Sequence, residues 1–245
     1  MTDVATPALA TRDLTAGYRN TIAVKSVTME VGQGHIHAIV GPNGSGKSSL
    51  IKAVLGLLSG TKGTALFFGG SYAEHRKSVG YMPQAAAVDW DFPITVKEVT
   101  LMGTYPRLGW FRRPRPRDLE RAREALAQVG LSELAGRHIS QLSGGQKQRV
   151  FLSRLLAQDA KLLIMDEPFA GVDAASESVI INILKEEAAR GCTVVIVHHD
   201  LAQVAEFCTH ATLLREGEVI STGPVGEALT SEAIAEAFQI GGLGF

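Results

Sequence analysis

An eight-residue, glycine-rich motif constrains this chain more than any other part of its sequence. Gly41-Pro42-Asn43-Gly44-Ser45-Gly46-Lys47-Ser48 fits G-x-x-x-x-G-K-[ST], with a strand-like stretch at 35–40 before it and helical periodicity after it. The glycines let backbone N–H groups face phosphates, and the helix start adds a favourable dipole. Lys47 supplies charge for the β- and γ-phosphates, and the Ser48 hydroxyl can bind Mg²⁺. The motif therefore predicts a strand, a loop and a helix that bind a nucleotide.

Composition limits the other classes of function. The chain has 245 residues, 45% of them hydrophobic, and a net charge of −1, so we expect a globular core and no general affinity for nucleic acid. Its two cysteines, Cys192 and Cys208, form no C-x-x-C pair, which favours a reducing compartment without structural zinc. Residues 1–12 do not resemble a signal peptide, and no apolar run is long enough to span a membrane. Any membrane role would then depend on a partner.

The chain pattern predicts an α/β fold with an insert. Alternation at 9–31 indicates antiparallel strands, and the continuous apolar runs at 161–166 and 193–198 indicate strands buried on both faces. A helix at about 174–190 between those runs indicates a parallel crossover. Strand-like segments at 211–214 and 218–221 and a short helix close the chain.

A largely helical insert is expected at roughly residues 85–158. Its first part, about 89–116, is expected to be irregular because four prolines interrupt it. An amphipathic helix follows at 117–129, and another begins after Gly144. The apolar face of the first of these helices is predicted to consist of Leu119, Ala122, Ala125, Leu126 and Val129.

The apolar run at 161–166 ends with an acidic residue, Asp166, and a second acidic residue, Glu167, follows it. In a nucleotide-binding fold of this kind, a carboxylate at a strand end holds Mg²⁺ beside the phosphate loop, which is the role predicted for Asp166. Glu167 is then the candidate general base for an attacking water. The alternative is a pair of solvated acids, and the glycine-rich motif upstream favours the catalytic interpretation.

A second glycine cluster, Leu142-Ser143-Gly144-Gly145-Gln146, also has the chemistry of an anion site. A serine and two glycines before a helix offer a hydroxyl, N–H groups and the positive end of a dipole. An ordinary capped loop is the commoner explanation of so short a motif. Its place between the first motif and the acidic pair favours a second contact with nucleotide.

In these motifs and their order, the chain resembles the ATP-binding subunit of an ABC transporter from about Leu9 to Phe238. The resemblance implies a P-loop NTPase cassette of the α/β class. The cassette has a mixed core sheet, an N-terminal antiparallel β subdomain and a helical insert subdomain. We expect a single domain over residues 1–245, with a core lobe at about 1–84 and 159–245 and a helical lobe at about 85–158.

The resemblance also assigns roles residue by residue. Catalysis is assigned to Lys47, Glu167 and His199, the last being the family's switch histidine in Val197-His198-His199-Asp200. Mg²⁺ is assigned to Ser48, Gln84 and Asp166, with Gln84 as the Q-loop glutamine, and Asp173 is the D-loop aspartate. Leu142 to Gln146 match the signature sequence, which covers the ATP of the opposite subunit. The residues implied to bind ATP are Tyr18, which would stack on adenine, and Gly41, Pro42, Asn43, Gly44, Ser45, Gly46, Lys47, Ser48 and Ser49.

His198 departs from the Thr or Ser common at its position in the family. We interpret it as a packing or hydrogen-bonding residue. A metal-binding pair with His199 is disfavoured, because adjacent strand residues point to opposite faces.

Two segments, 88–96 and 101–114, are similar to cassettes of manganese, zinc and iron importers. The resemblance thus implies ATP hydrolysis coupled to uptake of a divalent transition metal. A cassette for a metal chelate such as a siderophore or heme is the alternative, and a soluble ABC ATPase acting on nucleic acid is a further one.

The same two segments carry aromatic and basic residues whose role is open. The aromatic residues are interface anchors or a small core under the helical lobe, and they are Trp90, Phe92, Trp110 and Phe111. The basic run is a solvated face or a contact for lipid or permease, and it consists of Arg107, Arg112, Arg113, Arg115 and Arg117.

The partners implied by the resemblance are a second copy packed head to tail, an integral membrane permease and, indirectly, an extracytoplasmic metal-binding protein. The implied cofactors are ATP and Mg²⁺, and no nucleic acid is expected. The implied location is peripheral, at the cytoplasmic face of the plasma (inner) membrane.

Overall fold

The computed structural model describes residues 6–19, 21–84, 89–108 and 113–239. Its strands are β1 Leu9–Tyr18, β2 Thr21–Val31, β3 Ile36–Val40, β4 Lys62–Phe67, β5 Val79–Met82, β6 Leu162–Asp166, β7 Thr193–Val197, β8 His210–Arg215 and β9 Glu218–Pro224. Its helices are α1 Lys47–Val54, α2 Tyr72–His75, α3 Val96–Met102, α4 Tyr105–Leu108, α5 Pro116–Gln128, α6 Gly144–Ala157, α7 Ala174–Ala189, α8 Leu201–Phe207, α9 Val225–Ala228 and α10 Ser231–Phe238. Short 3₁₀ turns occur at Ser132–Leu134 and Ile139–Gln141.

The chain forms two compact units. The first is drawn from residues up to His75 and from Gly191 onward, and the second spans Arg76–Arg190. The expected helical lobe at 85–158 lies within the second unit, which also contains β5, β6 and α7. The lobe boundaries themselves stay a prediction.

The first unit contains both of its expected sheets. β1 pairs with β2 and with β4, antiparallel in both cases, which gives the N-terminal antiparallel sheet. β3 lies between β7 and β8 and is parallel to both, whereas β9 is antiparallel to β8. All five residues of β3 and all five of β7 are buried, in keeping with their largely apolar sequences, and β3 also buries the polar His37. This mixed sheet carries the glycine-rich motif at the end of β3.

In the second unit, β5 and β6 form a parallel pair and the remaining described elements are helical. The expectation that 89–116 is irregular is wrong at α3 and α4. Thr95 and Glu98 form a capping box in which the Thr95 backbone N–H donates to Glu98 Oε2 at 2.8 Å. The pattern T-x-x-E is a known sequence signal for the start of a helix and predicts the start of α3. The predicted buried face of α5 is also wrong at Leu119, whose side chain is exposed.

Candidate active site

The glycine-rich loop joins β3 to α1, as its motif predicted. Gly46 is the N-cap of α1 with φ 98°, and a Cβ atom there would lie 2.3 Å from the backbone oxygen of Ala23. Only glycine fits this conformation and this close approach. Because glycine also has no side chain, no capping group stands between the positive end of α1 and an anion.

The polar groups of the loop fit a phosphate. The Ser45 hydroxyl is buried, and among the described residues it has no hydrogen-bond partner. A buried hydroxyl is costly unless a ligand or water satisfies it. The buried Lys47 donates from Nζ to the carbonyl oxygens of Gly41 and Pro42, at 2.8 Å each, which holds its charge against the loop. A charged amine and an unsatisfied hydroxyl on one loop match the chemistry of a phosphate ligand.

The loop is also held from the turn between β8 and β9. The Gly217 N–H donates to the Ser45 oxygen at 3.0 Å, and the Lys25 N–H donates to the Gly217 oxygen at 2.7 Å. The sequence predicts strand-like segments on either side of this turn, but it gives the turn no role at the nucleotide. The turn fixes the backbone at the position of the unsatisfied hydroxyl.

The structure places Tyr18 and His199 in the same unit as this loop. Tyr18 is exposed at the end of β1, where it pairs with Thr21 of the neighbouring strand β2. The same strand β2 contains Ala23, whose backbone oxygen lies next to Gly46. His199 follows β7 and is exposed. The His198 N–H bonds to the Ile39 oxygen at 3.1 Å, so His199 leaves its strand close to where β3 enters the loop.

The side chain of His198 fixes the turn that carries His199. His198 is buried and its Nε2 forms a hydrogen bond with Gln203 Oε1. Asp200 accepts from the N–H groups of Ala202 and Gln203 and so caps α8. These bonds, that of Gln203 first, lower the pKa of Asp200. The packing and hydrogen-bonding interpretation of His198 is consistent with these contacts.

In the second unit, Gln84 and Glu167 are directly joined. Asp166 is buried at the end of β6, and Glu167 follows it with φ 52°, a left-handed conformation that is costly for a residue with a side chain. Gln84 Nε2 donates to Glu167 Oε2 at 2.8 Å. This bond orients one carboxylate oxygen of Glu167 and leaves the other for a proton. It joins two predicted site residues that lie 83 positions apart.

The donor set predicted for Mg²⁺ fits the ion in its chemistry. A hydroxyl from Ser48, an amide oxygen from Gln84 and a carboxylate from Asp166 are the hard oxygen ligands that Mg²⁺ prefers. Because Gln84 uses its nitrogen for Glu167, its oxygen stays directed away from that bond.

The second glycine cluster forms a capped start of α6. The Ser143 hydroxyl accepts from the Gln146 N–H at 3.3 Å, and the Ser143 N–H donates to Gln146 Oε1 at 3.0 Å. This reciprocal capping box leaves the hydroxyl proton of Ser143, which is exposed, available as a donor.

Gly145 packs the start of α6 against the start of α7. A Cβ at Gly145 would lie 2.5 Å from Ser176 Oγ and 2.9 Å from Asp173 Oδ2. Asp173 caps α7 by accepting from the Ser176 N–H at 2.9 Å and from the Ser176 hydroxyl at 3.0 Å. These bonds, first that of the Ser176 N–H, lower the pKa of Asp173. Ser176, which sequence reasoning did not identify, thus links the predicted D-loop to the signature glycines.

The aromatic and basic residues of 88–117 separate into different roles. Trp90 is half-buried and packs on Phe151, whereas Phe92 is exposed. Arg107 forms an ion pair with Asp159 at 2.9 Å. Arg113, Arg115 and Arg117 are exposed, and Val88, Trp110, Phe111 and Arg112 lie outside the described residues.

Fold and motifs together define a P-loop ATPase cassette. The sequence model of the ABC transporter family matches residues 24–170, and the chain belongs to that family. The resemblance and the fold class predicted from the motifs are confirmed, and so is the assignment as an ATPase that binds nucleotide.

Two relatives cover nearly the whole chain. The chain is 50% identical over 226 residues to the zinc transport system ATP-binding protein TroB of Treponema pallidum, covering 92% of this chain and 85% of that protein. It is 44% identical over 226 residues to the manganese transport system ATP-binding protein MntB of Bacillus subtilis, covering 92% and 90%.

Solved structures share the fold at lower identity. An inward-facing metal-chelate type ABC transporter has a TM-score of 0.83 at 28% identity, covering 95% of this chain and 89% of that chain. An ABC transporter cassette in its ADP conformation has a TM-score of 0.80 at 27% identity, covering 96% and 99%.

Proposed function

We propose that this chain is the ATP-hydrolysing subunit of an ABC importer that takes up a divalent transition metal, manganese, zinc or iron, through a separate membrane permease. The observation that carries the proposal is the 50% and 44% identity to ATP-binding proteins of zinc and manganese transport systems. Both matches cover 92% of the chain and therefore include the segments at 88–114 that suggested a metal importer.

A metal chelate is the second candidate cargo. It has support from the fold shared with a metal-chelate type transporter, but at 28% identity. The identity to the zinc and manganese relatives is much higher, so a metal ion ranks first. A nucleic-acid role is disfavoured because the net charge of −1 provides no basic surface overall.

For hydrolysis, the groups of the glycine-rich loop are proposed to bind the phosphates, and Glu167 is proposed to activate water. Lys47, the unsatisfied Ser45 hydroxyl and the start of α1 hold the phosphates. Glu167 accepts a proton from water as the water oxygen bonds to the γ-phosphorus, and the bond from that phosphorus to the bridging oxygen breaks, which releases ADP and phosphate. Gln84 keeps the Glu167 carboxylate oriented through its 2.8 Å bond. His199 contributes a donor to the γ-phosphate.

Mg²⁺, when bound, neutralises charge that develops on the β- and γ-phosphate oxygens. Ser48, Gln84 and Asp166 are the residues proposed to hold it. Tyr18, an exposed aromatic beside the loop-bearing part of the first unit, is proposed to stack on adenine.

The complete catalytic site is proposed to need two copies of the chain, packed head to tail. The Ser143 hydroxyl would donate to the nucleotide held by the partner copy's glycine-rich loop, with the other signature residues and Asp173 shaping that contact. The exposed, outward-facing Ser143 with its hydroxyl proton unused in the capping box supports this role.

The membrane partner is proposed to be a separate permease, served by an extracytoplasmic metal-binding protein, with the cassette peripheral at the cytoplasmic face of the plasma (inner) membrane. No helix among the described residues has the length and apolarity of a bilayer span. Phe92, Met102 and Tyr105, all exposed in the second unit, are proposed to face the permease.

Cellular metal content tests the proposed cargo. A deletion strain should lose accumulation of at least one of manganese, zinc and iron, measured by elemental analysis of washed cells grown in metal-limited medium. Wild-type chain should restore it and the Glu167→Gln chain should not. Unchanged contents of all three metals with defective uptake of a siderophore or heme would favour the chelate. Specific binding of DNA or ribosomal RNA at physiological salt would contradict a transport role.

A further inference from the structure

One face of α6, which we call the signature helix because Ser143 is its N-cap, contacts an aromatic residue that is distant in sequence. The Trp90 indole meets the Phe151 ring edge-on, with ring centroids 5.0 Å apart and an interplanar angle of 64°. The Lys147 ammonium lies 5.0 Å from the centroid of the same indole. Trp90 is thus held by two residues of α6 at once, through an aromatic pair and a cation–π contact.

Lys147 and Phe151 continue into a longer stripe. Arg154 lies one turn further along α6, 5.1 Å from the Phe151 ring centroid, and its Nη2 donates to the backbone oxygen of Tyr81 at 3.4 Å. We call Lys147, Phe151 and Arg154 the α6 stripe, since their spacing places them on one face. Tyr81 precedes Gln84 by three positions and Trp90 follows it by six. The α6 stripe therefore contacts the chain on both sides of Gln84.

The same stripe begins within one turn of the signature serine. The Lys147 N–H donates to the Ser143 oxygen at 2.9 Å, and Ser143 is locked into its capping box with Gln146. Lys147 and Ser143 belong to the same hydrogen-bonded first turn of α6, so a shift of Lys147 would be passed along this turn to Ser143. Residues 81–84 also contact Glu167, because Gln84 Nε2 donates to Glu167 Oε2 at 2.8 Å.

We propose that Trp90 is a positioning residue for ATP hydrolysis. Through the α6 stripe, which contacts Trp90 at one end and the backbone of Tyr81 at the other, it ties residues 81–84 to the signature helix so that Gln84 and Ser143 adopt their working positions together. The inference rests on the proposed function, because it gives Ser143 a role on the partner copy's nucleotide. It assigns Trp90 a task inside the second unit and leaves Phe92, two residues on and exposed, for an outside partner.

Steady-state kinetics of the purified full chain tests this positioning role. The variants are Trp90→Ala, Trp90→Phe and Lys147→Met, with Leu119→Ala as an exposed apolar control in the same unit. For Trp90→Ala we expect kcat to fall about five- to tenfold while the KM for ATP stays within about twofold. Trp90→Phe should restore most of the activity because it keeps the ring pair, Lys147→Met should give an intermediate loss, and Leu119→Ala should match wild type.

A double-variant cycle separates positioning from general packing. If Trp90 acts on Gln84 through the α6 stripe and residues 81–84, the double variant Gln84→Ala with Trp90→Ala should be no slower than Gln84→Ala alone, whereas independent effects would multiply. Multiplying effects, an unchanged kcat for Trp90→Ala, or parallel changes in KM and kcat would each overturn the inference. Should Trp90→Ala fail to fold, Lys147→Met decides, because its side chain is only half-buried. Absence of ATPase activity in the wild-type chain would instead contradict the proposed function.

Discussion

The N-cap residue of helix α1 is a glycine, whereas that of helix α6 is a serine whose backbone N–H and hydroxyl oxygen already bond within the helix. At α1, Gly46 offers no capping group, and the nearby Ser45 hydroxyl is buried without a partner among the described residues. At α6, Ser143 and Gln146 cap each other on both sides. Both are glycine-rich helix starts, yet among the described residues only the first has, beside its N-cap, a buried hydroxyl without a hydrogen-bond partner.

This difference suggests that the two motifs have different roles, one in nucleotide binding and the other in turnover. The loop before α1 is proposed to hold phosphate by itself, which its buried Ser45 hydroxyl without a partner among the described residues supports. The start of α6 is complete as it stands and offers one additional donor, the exposed Ser143 hydroxyl. Binding should therefore depend on the first motif and turnover on the second.

Replacing the proposed base should give the largest effect. Glu167→Gln keeps the shape of the side chain but cannot accept a proton, so kcat should fall by about 10²- to 10⁴-fold. ATP binding should persist because the groups at the start of α1 are untouched. Phosphate release and titration with a fluorescent nucleotide measure the two effects, and turnover near wild type would remove Glu167 from the role of base.

Blocking the signature should give the next largest effect. Ser143→Arg fills the exposed start of α6, so turnover should fall at least about 100-fold, the scale of losing a key donor. Nucleotide binding by the monomer should stay within about twofold, measured at protein concentrations below dimerisation. Lys47→Ala is the matched comparison and should lose binding itself. If Ser143→Arg also abolished monomer binding, the signature would serve its own chain's nucleotide.

Adding a methyl group at Gly46 or Gly145 should show whether the neighbouring atoms can move away. A backbone oxygen lies against Gly46, whereas side-chain atoms lie against Gly145. Gly46→Ala would place Cβ 2.3 Å from a backbone oxygen at φ 98°, so we expect a loss of about 3 kcal/mol in unfolding free energy. Gly145→Ala meets the side chain of Ser176, and a loss of about 1 kcal/mol is expected. Denaturant unfolding measures both. Adding Ser176→Gly should recover stability only for Gly145→Ala, and equal losses at both sites would contradict the contrast.

The smallest effect should be an acid sensitivity of the strand that leads into the first motif. Burial, with His210 and then His35 adding to it, lowers the pKa of His37 in β3 to about 3. His37 bonds to Thr212 Oγ1 at 2.8 Å, and His35 stacks on His210 with centroids 3.9 Å apart. Above the ordinary pKa of 6.5 the ring is neutral in both states. Below it only the unfolded chain gains the proton, so stability falls as pH falls, by about 1 kcal/mol from about pH 7 to about pH 5.5.

Hydrogen exchange can follow this loss locally. Amides of β3 and β8 should lose protection on acidification more than amides of α6, after correction for the intrinsic rate. The His37→Gln chain, which keeps a polar group for Thr212, should lack this part of the pH dependence. Equal loss of protection in α6 would show that the sensitivity is not confined to the first unit.

Much of this protein could be predicted from short patterns. Local patterns predict the largely apolar strands β3 and β7, the alternating strands β1 and β2 and the two glycine motifs. This is possible because periodicity and turn chemistry act over a few residues. The capping box at Thr95 and Glu98 was equally local and predicts the start of α3, which proline content obscured. Leu119 was misassigned because helical spacing defines a face but not what covers it.

The motifs, their order and hence the family follow from the sequence alone, since each motif is a local requirement for particular residue types. Which distant residues meet is seen only in the folded chain, because such contacts depend on how whole helices and strands pack. Three contacts join positions far apart in the chain: the bond from Gln84 to Glu167, the fit of Gly145 against Ser176 and the contact of Trp90 with α6. The start of α6 is therefore recognisable from its five-residue motif, whereas the packing of this helix against Trp90 is not.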